Sequence, residues 1–307
     1  MSTAIISHHE CRKHKMLDGH PEDPSRIDAI SDRLIASGLE YSLDHFDAEK
    51  VSREDLMRVH NGAYLDHLEK IQPKEGLINV DPDTQMCPQT LKAATRAAGA
   101  AVQAVNLVYQ SNHRAVFCNV RPPGHHAERA QAGGFCFYNN VAVAASYALD
   151  KLGLDRVAVI DFDVHHGNGT EDIFKDDQRV MFCSIFQHPF FPYSNTERPN
   201  KQHIKIPLAA GAGSEEFRHV VVNDWLPALV DFKPQLIFIS AGFDAHRDDD
   251  MGDMNLEDAD YAWVTEKLVD LAHQLDCQGI VSVLEGGYVP DALGRSVIAH
   301  VRALAGL

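Results

Sequence analysis

The chain has 307 residues, 45% of them hydrophobic, which is enough apolar material to bury a full α/β core. Its 28 basic side chains against 44 acidic ones leave a formal charge of −16, which argues against a nucleic-acid binder and is compatible with a cationic ligand or simply with solubility. No basic leader precedes an apolar stretch at the start and no apolar run approaches the ~18 residues of a membrane span, so a cytoplasmic protein that engages no membrane is expected.

In chain order, β-branched and aromatic runs predict strands at 4–6, 115–120, 157–162, 180–185, 236–240 and 280–284, with a weaker strand signal at 203–206. Helical periodicity predicts helices at 24–36, 89–109, 140–152, 214–231, 256–275 and 291–304. No linker, low-complexity tract or repeat divides the chain, so one domain over 1–307 is expected. The six cysteines lack C-x-x-C spacing and read as reduced core residues. Strands apolar on both faces and separated by helices imply a three-layer α/β/α fold with a central parallel sheet, whose right-handed crossovers bring the carboxyl ends of the strands to one rim. A homo-oligomer is compatible with this reading.

Four polar clusters each follow a strand. AVFCNV runs into RPPGHHAER, VAVIDF into DVHHGNGT, LIFIS into AGFDAHRDDD, and IVSVL into EGGYVPD. All four should therefore meet on the rim where open α/β sheets bind ligands. Residues two apart in an extended segment point the same way, so Asp163 and His165 project together, with Asp161 one step behind. Such a pair supplies a carboxylate and an imidazole to one cation, and Asp244 is the best candidate for a third ligand. Two carboxylates and one imidazole leave a coordination position open, as catalytic metal sites do. Zn²⁺ suits the set, and Fe²⁺, Co²⁺ or Mn²⁺ would also be accommodated. A capping Asp with a packed His is the plain alternative. A Mn²⁺-binding D-x-D of a nucleotide-sugar transferase, from Asp161 and Asp163, leaves the histidines unexplained.

His125 and His126 follow a Pro-Pro-Gly turn that can present both rings, and two imidazoles beside a metal can act as general base and general acid. Asp161 and Asn168 are plausible partners for their outer nitrogens. Gly134 allows a close backbone approach, Phe135 and Phe191 offer facing apolar walls, and the Gly286–Gly287 turn can swing the Tyr288 hydroxyl toward an oxyanion.

RPPGHHA, GGFCFYNN, DFDVHHGNGT, SAGFDAH and EGGY, in that order, resemble the motifs of the zinc-dependent histone deacetylases and their bacterial amidohydrolase relatives on the arginase-deacetylase fold. GHPEDPSR resembles that family's entry loop, and the Asn of HHGNGT its class II branch. The resemblance implies zinc on Asp163, His165 and Asp244, tandem histidines at His125 and His126, and a transition-state tyrosine at Tyr288. It also implies channel walls at Gly134, Phe135 and Phe191, and a structural potassium ion held by Asp161, Ser184 and the carbonyls of Asp163, His165 and Ile185. A second potassium site near Phe174, Asp177 and Val180 is a weaker implication.

Two departures bear on substrate. Class I members carry an Asp before Cys-Pro, where Met86 precedes Cys87 here, so peptide gripping must differ. The acidic gatekeeper of polyamine-preferring members falls on Met251, among Asp248, Asp249, Asp250 and Asp253. The reading is thus an amidohydrolase that removes acetyl or short acyl groups from lysine side chains of a protein or peptide. In it Asp161 steadies His125, while His126 deprotonates the attacking water and protonates the leaving amine. The alternative is an acetylpolyamine amidohydrolase, and a non-catalytic acyl-lysine reader is disfavoured by the intact set of residues.

Overall fold

Apolar side chains fill consecutive positions of the strands, and strands of that kind need cover on both faces. The computed structural model, which describes residues 2–307, provides it with one eight-stranded parallel sheet between two helical layers. In chain order the elements are β1 (Ser2–Ser7), α1 (Ser25–Ser37), β2 (Leu43–Asp47), α2 (Arg53–Leu56), α3 (Gly62–Ile71), β3 (Ile78–Asn79), β4 (Gln85–Met86), α4 (Thr90–Gln110), β5 (His113–Cys118) and α5 (Asn140–Lys151). They continue with β6 (Val157–Asp161), α6 (Asn168–Phe174), β7 (Val180–Gln187), β8 (His203–Leu208), α7 (Ser214–Val220), α8 (Leu226–Phe232), β9 (Leu236–Ala241), α9 (Asp258–Gln274), β10 (Ile280–Leu284) and α10 (Pro290–Ala305). The large sheet runs β2-β1-β5-β10-β9-β6-β7-β8, and β3 and β4 form a separate antiparallel pair.

The period of two sorts the core. Val157, Val159, Phe182, Phe238 and Val283 face one layer, packed against α4 and α5. Ala158, Ile160, Cys183, Ile237 and Ile239 face the other, with α9 and α10. Small residues on α4, among them Ala97, Ala101 and Ala104, are fully buried and let that helix approach the sheet closely. The strands β5, β10, β9 and β6 are consecutive neighbours, so the loops leaving their carboxyl ends emerge side by side. These are the four strands that the polar clusters follow.

Three expectations need correction. The helix predicted at 214–231 is two helices joined by a π-type turn at Val221–Trp225. Pro227 has no N–H for a carbonyl four residues back, so the regular ladder cannot continue through it. The strand β2 was not predicted, because LDHFD buries only Leu43 and shows no apolar run. The short elements α2, α3, α6, β3 and β4 likewise lie in stretches for which the sequence predicts no helix or strand.

Candidate active site

Backbone geometry at the end of β6 aims the side chains of DFDVHHGNGT. Asp161 closes the strand, in register with Ser240 of β9 and Ser184 of β7. The next residues turn back on it: Asp163 N donates to Asp161 Oδ1 at 3.1 Å and His165 N to Asp163 Oδ1 at 2.9 Å. This turn brings Asp163 and His165 to Asp244 from the loop after β9. Ligand atoms of the three lie within 4.8 Å of one another, and all three residues are buried. His165 Nδ1 is 3.0 Å from Asp163 Oδ1 and 3.2 Å from Asp244 Oδ2.

This trio fits a divalent cation on three observations. Asp244 Oδ2 is buried with no well-aligned hydrogen bond, His165 Nδ1 lying 3.2 Å away, a costly state for a carboxylate oxygen that a cation would relieve. Burial opposes a charge on His165, yet Asp163 and Asp244 raise it to about 9, so the pocket between the carboxylates favours positive charge. The backbone also leaves room. A Cβ at Gly286 would lie 2.0 Å from Asp244 Oδ2, and one at Gly242 would lie 2.0 Å from Asp163 Oδ2. Burial drives the Asp244 carboxyl up to about 7, whereas His125 and His165 hold Asp163 well below the carboxylate range against the same burial.

The tandem histidines come from the loop after β5, with ring centroids 4.0 Å apart. His125 Nδ1 donates to Asp161 Oδ2 at 3.0 Å, and His126 Nδ1 to Asn168 Oδ1 at 2.8 Å. Asn168 Nδ2 donates to Glu128 Oε1, which orients the amide oxygen toward His126. Their charges diverge. Burial disfavours a charged His125, but Asp161 and Asp163 hold it well above the ordinary value near 6.5. Burial, the charge on His125 and that on His165 push His126 well below it.

Above them opens a cavity of about 230 Å³ lined by His126, His165, Gly134, Phe135, Phe191, Met251 and Tyr288 together with Asp83, Phe190 and Asp250. Gly134 has φ +53, and a Cβ there would lie 2.3 Å from His126 Cδ2, so its close approach serves the imidazole as well as the cavity. Phe191 meets His126 edge-on at 5.1 Å, Phe190 stacks on His165 at 5.3 Å, and Phe135 meets Tyr288 edge-on at 5.8 Å. Burial and then the Asp244 and Asp163 charges push the Tyr288 hydroxyl well above its ordinary value of 10, against the Arg26 guanidinium 4.8 Å from its ring, so it remains a donor.

Of the aspartates around Met251, only Asp250 lines the cavity. Asp253 pairs with Gln187, Asp248 with Arg295, and Asp249 accepts from the backbone of Met251, Tyr288 and Val289. Met86 is fully buried in β4, and Asp83 reaches the rim instead. At the expected potassium positions, Ser184 lies beside Asp161 with its Oγ 2.9 Å from His166 Nδ1, and Ile185 follows it along β7. Near the second such position, Asp177 N donates to Phe174 O and Val180 N to Asp177 O.

Sequence reasoning passed over Glu285, the residue immediately before GGY. Its buried Oε2 accepts from Gly124 N at 2.6 Å and His125 N at 3.1 Å, fixing the backbone of the histidine pair. Arg26, in the first turn of α1, donates to the carbonyls of Glu285 and Gly287, and Glu22 joins Arg26 to Arg121.

A buried Asp-His-Asp group, paired histidines and a tyrosine meet at a largely apolar shaft on the carboxyl rim of a parallel sheet, an arrangement suited to metal-assisted hydrolysis. The histone deacetylase domain family matches residues 20–304, and the chain belongs to that family. It is 36% identical to a probable deacetylase of Archaeoglobus fulgidus over all of this chain and 87% of that one. It is 35% identical to the polyamine deacetylase HDAC10 of Mus musculus, over all of this chain but 48% of the mouse protein. Among solved structures, the HDA15 HD domain superposes with a TM-score of 0.92 at 30% identity, covering 99% of this chain and 88% of that one. The protein is thus a deacetylase-family hydrolase acting on amides. Among the described residues no helix is long and apolar enough to cross a membrane, and all six cysteines are free and buried.

Proposed function

We propose that the chain acts as one catalytic domain that removes acetyl or other short acyl groups from lysine side chains, with Asp163, His165 and Asp244 holding the metal. The observation that carries this is the buried trio beside a neutral His126 at the floor of an apolar shaft. Zn²⁺, typical of the family, or Fe²⁺ or Co²⁺ in its place, would supply the Lewis acidity that polarises the amide carbonyl and acidifies water.

The protein groups do the rest. His126 shares its Nδ1 proton with Asn168, which leaves Nε2 free to take a proton from the attacking water and then deliver it to the departing amine. His125 remains protonated against Asp161 and acts through its charge. Tyr288 donates to the oxygen that becomes negative in the transition state. A potassium ion at Asp161, Ser184, Ile185 and the Asp163 and His165 backbone would steady the loop from behind. The six buried thiols suit a reducing, cytoplasmic setting.

The second reading, an acetylpolyamine substrate, is favoured by Asp83 and Asp250 at the rim of the cavity. A carboxylate there attracts a second ammonium, though burial and Asp81 push the Asp83 carboxyl up to about 6, which weakens its charge in mild acid. Assay of zinc-loaded protein on acyl-lysine peptides of rising acyl length, beside acetylputrescine and acetylspermidine, tests both. Higher kcat/KM on the peptides is expected, and no turnover of any acyl amine would overturn the hydrolase reading.

A further inference from the structure

Edge strand β8 carries a residue that its burial does not suit. Lys205 is 2% exposed. It continues a register row in which Ser240, Asp161, Ser184 and Lys205 lie side by side across β9, β6, β7 and β8. An aliphatic side chain would fill that place without stripping an ammonium of its water. The ammonium donates to Glu171 Oε1 at 3.1 Å and to the carbonyl of Asn195 at 2.8 Å, and it is ion-paired with Glu171 Oε2 at 2.8 Å.

Both partners lead to the site from outside it. Glu171 lies in the first turn of α6, the helix that begins at Asn168, and its Oε2 also accepts from His166, the neighbour of His165. Asn195 belongs to the irregular segment 188–202 between β7 and β8, which carries Phe190 and Phe191. His188 N bonds to Leu208 O near one end of that segment and Asn200 Nδ2 to Lys175 O near the other, and the Lys205 bond ties its middle to the sheet. One cation therefore links the aromatic wall of the shaft to the helix that orients His126.

We propose that Lys205 is a positioning residue that fixes the Phe190–Phe191 wall against His126 and His165, and so limits the length of acyl group the shaft accepts. Its kinetic consequence rests on the hydrolase reading above. Without the ammonium the wall is free to retreat from the shaft. Acetyl then loses apolar contact, while a longer chain gains room.

Lys205→Met keeps the aliphatic stem and removes the three donors. For an acetyl-lysine peptide KM should rise about tenfold with kcat within about threefold, and the butyryl-to-acetyl ratio of kcat/KM should rise by at least about fivefold, the scale on which pockets discriminate one or two methylenes. Metal content should not change. Because Lys205→Met also strands the Glu171 carboxylate, the double variant Lys205→Met/Glu171→Gln is made beside it. A double variant that recovers both Tm and the wild-type acyl ratio would overturn the proposal, since the lysine would then act through stability alone. An altered ratio that persists after Tm recovers supports it. Hydrogen exchange of 188–202 reads the anchoring without any substrate. Faster exchange confined to that segment in Lys205→Met is expected, and unchanged exchange refutes the anchor even if the wild type hydrolyses no acyl amine.

Discussion

Gly286 presses its backbone against two of the proposed metal ligands, which makes Gly286→Ala a direct test of the cation site. The added Cβ would sit 2.0 Å from Asp244 Oδ2 and 2.6 Å from Asp163 Oδ2, where ordinary contact begins at 3.4 Å. Either the Asp244 carboxylate retreats by more than ~1 Å, or the loop lifts and breaks the 2.9 Å bond from Gly286 N to Asp163 Oδ2. Metal ligands tolerate displacements of only about 0.2 Å, so both routes spoil the donor set. A perturbation one step removed from the ligands typically costs 10–100-fold in metal affinity, and this one moves a ligand itself. We therefore expect a loss of about 100-fold or more, with overpacking lowering stability by about 1–3 kcal/mol. Zinc titration of the demetallated protein against a competing chelator, with thermal unfolding alongside, measures both. Gly213→Ala is the control, because its nearest neighbour would be Asn255 O at 3.5 Å. Wild-type zinc affinity in Gly286→Ala would remove Asp244 from the ligand set.

Tyr288→Phe should keep metal content and KM near wild type while kcat falls about 10²–10³-fold in steady-state assays, since the hydroxyl serves the developing oxyanion; near-normal turnover would reduce EGGY to a backbone role. Met251→Glu should shift the ratio of specificity constants toward acetylpolyamines by a few-fold, the ~0.2–1 kcal/mol of a partly exposed ion pair. If the wild type already prefers polyamines, Asp250→Asn is the variant that should lower that preference, because Asp250 lines the cavity. Glu22→Gln should destabilise the fold by about 3–5 kcal/mol at pH 7 by stranding Arg121 and Arg26, as measured by urea unfolding. Burial works against the Glu22 charge, yet Arg121 and then His14 hold its carboxyl well below the usual 4.5. That stability is present in full above about pH 4.5 and is lost as the pH falls through the lower native value. The difference between wild type and Glu22→Gln should accordingly shrink on acidification; a constant difference from pH 7 to pH 3 would contradict the assignment.

What the sequence makes legible here follows from how local each signal is. The central strands are short apolar runs ending in charge, so their carboxyl ends, and the four clusters that follow them, can be read without coordinates. Asp163 and His165 do come together as the spacing suggests, but through a bend at 163–165 held by side-chain acceptors and not through an extended segment. Glu285 was passed over because its partners are backbone amides at Gly124 and His125, 161 and 160 positions away, and nothing in its own neighbourhood marks an acceptor. Asp83 was missed because it lies in a polar turn with no strand to aim it. The burial of Lys205 cannot be read from the sequence, because its partners Glu171 and Asn195 lie in other elements. β2 escaped because LDHFD buries only Leu43 and carries no apolar run.

The two tandem histidines show how little covalent difference the proposed chemistry requires. They are neighbours in the chain, their rings are 4.0 Å apart, and both are buried. His125 faces the carboxylates of Asp161 and Asp163, and its backbone N–H is held by a third, Glu285. His126 faces the amide of Asn168, whose other end is occupied by Glu128. A carboxylate stabilises the added proton and an amide does not, so one ring is held as a cation and the other as a neutral base. The first then lowers the second further, since two adjacent imidazolium ions in a buried site repel. Assigning the base to His126 therefore rests on what stands behind each ring, at the ends of β6 and α6, as much as on which ring borders the cavity.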